Sequence, residues 1–264
     1  MLVSTLFILV FISSALGFAP VLTRRTFAST IAIASLTELY SRSGRPNESN
    51  VAQLLNLPHK KNALMTIVFH GAGGQDKYTA ELIERLNSNN NNNYVHICDW
   101  SVFSQSIVKA AFNAQRVGKI QATRIASNYD CAVSVHFIGI SVGAFAADAA
   151  AKELKRLSKK SFVQLTLLDP FTQRGVFGFG WGKRHFGEGV DYCQQFMNTD
   201  DPVPSTNVKC NHAVCFDVTE SSKRDKDIFG HDWPLVFFSR HVANIGLIDE
   251  NERGSPLNEA TKTL

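Results

Sequence analysis

The stretch Gly139-Ile140-Ser141-Val142-Gly143 limits what this 264-residue chain can fold into more than any other. The eight residues before it, Cys131 to Ile138, are apolar and rich in β-branched side chains, the pattern of a buried parallel strand. The residues after it, Val142 to Ser158, are rich in alanine and carry Lys155 and Arg156 near the end, the pattern of a helix. A serine at such a strand-to-helix junction, with Gly-x-Ser-x-Gly spacing, takes strained backbone angles and lifts its hydroxyl above the sheet. The flanking glycines are required because a β-carbon at either position would collide with the turn.

The rest of the chain supplies a sheet for that junction. Strands are expected at Ala63–Phe69, Tyr94–Trp100, Phe162–Leu168, Asp191–Met197 and Ala213–Val218. Helices are expected at Tyr78–Leu86, through a segment with Ile107, Ala111, Ala114, Gly118 and Ile125 at helical spacing, and from Gly230 to Ala243. Strands alternating with helices imply an α/β fold, a mostly parallel sheet with helices on both faces. With 44% hydrophobic and 19% charged residues, the chain can bury one core of that size, and residues 46–264 read as a single domain. The asparagine run Asn87–Asn93 cannot pack and reads as a solvated insertion. Arg174–Gly189 carries Phe177, Phe179, Trp181, His185 and Phe186, which suit either an apolar substrate mouth or a cover over a core edge.

Residues 1–45 form a leader and linker. Leu6–Ile12 is an apolar run too short to span a bilayer, so residues 1–17 have the shape of a secretory signal peptide. Residues 18–34 are hydroxylated, basic and free of acids, and Arg24-Arg25 makes them resemble a transit segment with a twin-arginine motif. Ala15–Pro20 resembles the cleavage motif of leaders that target complex plastids. The expected route is the secretory pathway to a plastid, with the thylakoid lumen beyond it; secretion is the alternative.

Serine becomes a nucleophile when a histidine takes its proton and a carboxylate orients that histidine. In this fold the order along the chain is serine, acid, histidine, each after the carboxyl end of a strand. Ser141, Asp169 or Asp201, and His231 satisfy that order. His241 lies inside the last helix, and His136 sits within the strand as a core residue. The loop His70-Gly71-Ala72-Gly73-Gly74 follows the first strand and suits an oxyanion hole, since its amides can turn toward a developing negative charge. The chemistry needs no metal and no organic cofactor. Five cysteines without Cys-x-x-Cys spacing make a zinc site improbable, although Cys210 and Cys215 are close enough in sequence to bridge a small loop. A net charge of +4 without a basic stripe excludes nucleic acid as a partner.

From Ile67 to about Phe238 the chain resembles the pancreatic-type lipase family, within the α/β-hydrolase superfamily. The resemblance is carried by Phe69-His70-Gly71, Cys98-Asp99-Trp100-Ser101, Val135 to Gly139 leading into the serine, Gly143-Ala144, Leu168-Asp169-Pro170 and Thr199-Asp200. It implies Ser141 as nucleophile, Asp169 as acid, His231 as base, and the amides of Ala72 and Val142 as the oxyanion hole. Ile140 stands where the family has histidine, and Ala72 replaces a bulky residue. Only a short tail follows His231, and little chain between Asp201 and His231 is free to form a lid. The resemblance therefore implies a serine hydrolase of carboxylic esters, with an acyl lipid or small ester as substrate and peripheral contact with a membrane surface. Thioesterase or peptidase chemistry on the same fold, and a non-catalytic lipid-binding relative, are the alternatives.

Overall fold

The structure, a computed structural model, describes residues 45–51, 64–88, 93–129, 132–174, 178–203 and 205–243. The signal, transit-like and twin-arginine segments lie outside the described residues, as do most of the asparagine run, Cys131, Phe177 and the residues after 243.

Six strands form one sheet: β1 Leu64–Phe69, β2 Asn93–Cys98, β3 Ser134–Ile140, β4 Phe162–Leu168, β5 Tyr192–Met197 and β6 Val214–Asp217. Their order is β2-β1-β3-β4-β5-β6, and every pairing is parallel. The chain leaves β1, adds β2 on one side, then crosses back to lay β3 on the other. The loops after β1 and β3 therefore diverge at the point between them where the order reverses, and open parallel sheets bind ligands in that crevice.

The helices are α1 Lys77–Ser88, α2 Ile107–Asn128, α3 Ala144–Leu157, the short α4 Trp181–His185 and α5 Trp233–His241. α2 packs against α3, and α1 against α5. The two pairs cover opposite faces of the sheet, because side chains alternate along each strand. Val68, Ile138, Ile140, Leu168 and Phe196 meet Leu82, Trp233, Val236 and Phe237 in the α1–α5 layer. Met65, Ile67, Phe69, Val135 and Phe137, at the alternate positions, are equally buried. The layering is that of the α/β-hydrolase fold.

The expected elements are present, with boundaries within three residues of those expected and β4 as expected. Asn87 and Ser88 finish α1 and Asn93 opens β2, so the described ends of the asparagine run belong to regular structure. Ala111, Ala114, Gly118 and Ile125 are buried along α2. Ile107, expected on the same stripe, is 43% exposed. It is the first residue after the Ser106 cap, whose hydroxyl accepts the Lys109 N–H at 3.3 Å, and so sits at the open end of the helix.

Candidate active site

β3 ends at Ile140, Ser141–Gly143 makes one 3₁₀ turn, and α3 begins at Ala144. Ser141 has φ +52°, a left-handed value that non-glycine residues seldom adopt. The glycines on either side of it are fixed by packing. A β-carbon on Gly139 would lie 2.6 Å from the Ala144 Cα, and one on Gly143 would lie 2.3 Å from the Phe69 carbonyl oxygen. The Ser141 carbonyl accepts the Phe171 N–H at 3.1 Å, tying the turn to the loop after β4.

That loop begins with Asp169, a second residue at positive φ (+44°), whose N–H is held by the Phe196 carbonyl at 2.8 Å. Asp201 follows β5, and His231 sits on the 3₁₀ turn Gly230–Asp232 after β6. The four side chains converge. Ser141 Oγ is 2.9 Å from His231 Nε2, and on the far side of the ring Nδ1 lies 2.6 Å from Asp169 Oδ2 and 2.9 Å from Asp201 Oδ2. Both carboxyl groups are buried, whereas the His231 side chain is 19% exposed. With Nδ1–H donating to the carboxyl side, Nε2 is left as the acceptor for the Ser141 hydroxyl.

The two acids differ in what else holds them. Asp169 Oδ1 accepts the Asn198 N–H at 3.1 Å. Asp201 Oδ1 accepts the Val203 N–H at 2.7 Å, and Oδ2 is the nearest acceptor of the Thr206 hydroxyl at 2.9 Å, ahead of the Val203 carbonyl at 3.0 Å and Asn207 Oδ1 at 3.1 Å. Burial pushes the Asp169 carboxyl up to about 7, and the neighbouring Asp201 adds to that. Burial acts on Asp201 in the same sense, but the hydrogen bonds from His231, Asp169 and Val203 bring it down to about 2. Burial lowers His231, and the bonds to both carboxyls outweigh it and raise the ring to about 10.

Two positioning residues carried no signal in the sequence. Asn198 gives its N–H to Asp169 and its Nδ2–H to the Gly230 carbonyl at 2.8 Å, linking the acid to the residue before His231. Thr206 holds Asp201 from five residues downstream. Neither has a motif around it, because each is recruited by a loop fold and not by spacing.

Across the crevice, His70 is fully buried and stacks on Trp100. Its Nδ1–H donates to the Gly71 carbonyl at 2.8 Å, and its Nε2 accepts the Trp100 N–H at 3.2 Å. Burial lowers its pKa, consistent with this neutral form. Gly71 closes on the serine: a β-carbon there would stand 3.5 Å from the Ser141 Cβ. Ala72 is exposed on the loop, and Val142 is buried in the 3₁₀ turn, where first-turn amides lack intrahelical acceptors.

His136 is the buried core histidine expected, 2.7 Å from the Thr166 hydroxyl, and His241 packs on Phe237. Part of the aromatic segment covers a core edge. Trp181 stacks on Phe145 and Phe186 meets it edge-on at zero exposure, so both cover a core edge, while Phe179 is 47% exposed. Cys98, Cys193, Cys210 and Cys215 are all free thiols. Among the described residues, one group could ligand a cation: Asp169, Asp201 and His231 present atoms within 4.8 Å of one another. Those are the same atoms that already share the His231 Nδ1 proton. A cavity of about 550 Å³ is lined by Thr199, Cys215 to Ser221 and Phe237, apart from the converging four.

No family model and no curated protein matches the chain. Among solved structures it is similar to a candidate cell surface hydrolase from Lactobacillus plantarum WCFS1, at 12% identity and a TM-score of 0.43, covering 75% of this chain and 98% of that one. The fold assignment rests on the sheet order and the parallel register.

Proposed function

We propose that the protein is a serine hydrolase that cleaves carboxylic esters through an acyl-enzyme. The observation that carries this is the 2.9 Å contact between Ser141 Oγ and His231 Nε2, made by a serine held at φ +52° on a strand-to-helix turn. Backbone strain of that kind costs on the order of 1–3 kcal/mol and persists where a site requires it. Ser141 Oγ attacks the ester carbonyl while its proton passes to His231 Nε2. The N–H groups of Ala72 and Val142 stabilise the resulting oxyanion. Collapse expels the alcohol, which takes the proton back from Nε2. Water then repeats the sequence on the acyl-enzyme, releasing the carboxylic acid and restoring Ser141.

The substrate class we propose is an acyl lipid with a polar head group. Residues 218–229, between β6 and His231, form turns and bends without a helix, so that segment contains no helical lid. The apolar side chains Val102, Phe179 and Phe229 are exposed on segments that follow β2, β4 and β6, the end of the sheet that carries Ser141. An acyl chain can rest on such side chains while its head stays in water.

The test is labelling with a fluorophosphonate probe, together with hydrolysis of short-chain nitrophenyl esters. Wild type is expected to label at Ser141 and to turn over without a lag. Ser141→Ala is expected to keep the melting temperature and lose both signals. Labelling of the alanine variant at another serine would remove the proposal. A preference for triglyceride emulsions over diacyl polar lipids would overturn the substrate class alone.

A further inference from the structure

Two carboxyl groups face one N–H, and that arrangement has a chemical cost. Were both ionised, they would hold His231 as an imidazolium, and a ring that keeps its proton cannot take one from Ser141. Two buried like charges at this separation also repel strongly enough that such pairs retain a proton between them. The site therefore needs one charge and one proton on its acid side, and the hydrogen bonds decide which residue has which.

A carboxylate is stabilised by each donor aimed at it. Besides His231, Asp201 receives the Val203 N–H and the Thr206 hydroxyl, one on each oxygen, while Asp169 receives only the Asn198 N–H. The two carboxyl groups present oxygens within 4.8 Å of each other, close enough that two buried negative charges would repel. Asp169 is 1% exposed and Asp201 5%, so water contributes little to either. We infer that Asp201 is the ionised acid that orients His231, and that Asp169 is a neutral positioning residue which donates its carboxyl proton to Asp201.

This inference rests on the proposed serine mechanism and reverses the role that the lipase resemblance implies for Asp169. In that mechanism Asp201 carries the single negative charge facing Nδ1–H. Asp169 fixes Asp201 and the ring without adding a second charge, so Nε2 stays basic only to the degree the reaction needs.

Asparagine is the natural probe, since its amide copies a protonated carboxyl in shape and in having a donor and an acceptor. Asp169→Asn is expected to stay within about tenfold of wild type in kcat. Asp201→Asn is expected to lose about 10³–10⁴-fold, as removal of an orienting acid does, with KM little changed. Proton NMR separates a charge effect from a packing effect: the downfield Nδ1–H signal of His231 should persist in Asp169→Asn and vanish in Asp201→Asn, in samples whose circular dichroism matches wild type. If Asp201→Asn fails to fold, Asp169→Asn still decides. Its retention of kcat and of the downfield signal supports the inference, and a loss as large as 10³-fold overturns it. The opposite ranking, or two silent single variants with loss only in the double, also overturns it while leaving the serine mechanism standing. Only failure of Ser141 to label removes the mechanism itself.

Discussion

At the scale of single residues, the site depends on side chains that fix the direction of a peptide group. His70 is the clearest. Its Nδ1–H holds the Gly71 carbonyl at 2.8 Å, and in a planar trans peptide the following N–H points the opposite way. Pinning Gly71 O therefore fixes the direction of the Ala72 N–H, one of the two proposed oxyanion donors. His70→Phe keeps the ring volume and the stacking on Trp100 but removes the donor. We expect kcat for ester hydrolysis to fall by about 10–10³-fold with KM little changed, since a missing or misdirected oxyanion donor costs up to that much. An unchanged kcat in a folded variant would show that the loop holds its shape without His70.

At the scale of elements, α3 organises the molecule. Its alanines at 144, 146, 147, 150 and 151 are buried, so the helix lies close to both the sheet and α2. It also anchors the aromatic segment after β4. Asp148, buried at 2%, accepts the Gly187 N–H at 2.9 Å and pairs with Lys152 at 3.0 Å. Asp148→Ala leaves that N–H buried without its partner, which costs about 1–3 kcal/mol. The variant is expected to show a lower urea midpoint and unchanged kcat, because Asp148 lies on the far side of α3's first turn from Ser141. A large loss of kcat would instead place the aromatic segment in substrate binding.

For the molecule as a whole, pH dependence of stability follows from histidines buried in neutral form. Burial drives His136 from 6.5 down to about 3, and it also lowers His70 and His96. Below pH 6.5 the unfolded chain takes up protons that the native state refuses, so stability falls as pH falls. Each fully refused proton costs about 1.4 kcal/mol per pH unit. For His136 the loss runs from pH 6.5 down to about 3. Asp169, raised to about 7, works in the opposite sense between pH 7 and 3.8, so the test is a difference: from pH 6.5 to 4.5, His136→Gln should lose less stability than wild type. Equal slopes in the two proteins would mean that His136 is not the source.

The strand and helix positions, the parallel class of the sheet and the identity of Ser141 and His231 as the pair to watch were all readable from the sequence. Each rests on local pattern: runs of β-branched residues, helical spacing of alanines, and glycines where a β-carbon cannot fit. The aromatic segment left its role open, because an exposed and a buried phenylalanine look alike in a string; Phe186 packs on Phe145, and Phe179 does not. The acid stayed open for a related reason. Asp169 and Asp201 both follow strands in the correct order, and order along the chain carries no count of donors. Only the folded loops bring Val203, Thr206 and Asn198 against the two carboxyls. The buried ladder of His136, Thr166 and Gln194 across β3, β4 and β5 was equally invisible, since it exists only in the register of three strands distant in sequence. Local sterics determine the elements and the serine turn, whereas charge and hydrogen bonding depend on distances between segments that tertiary packing alone sets.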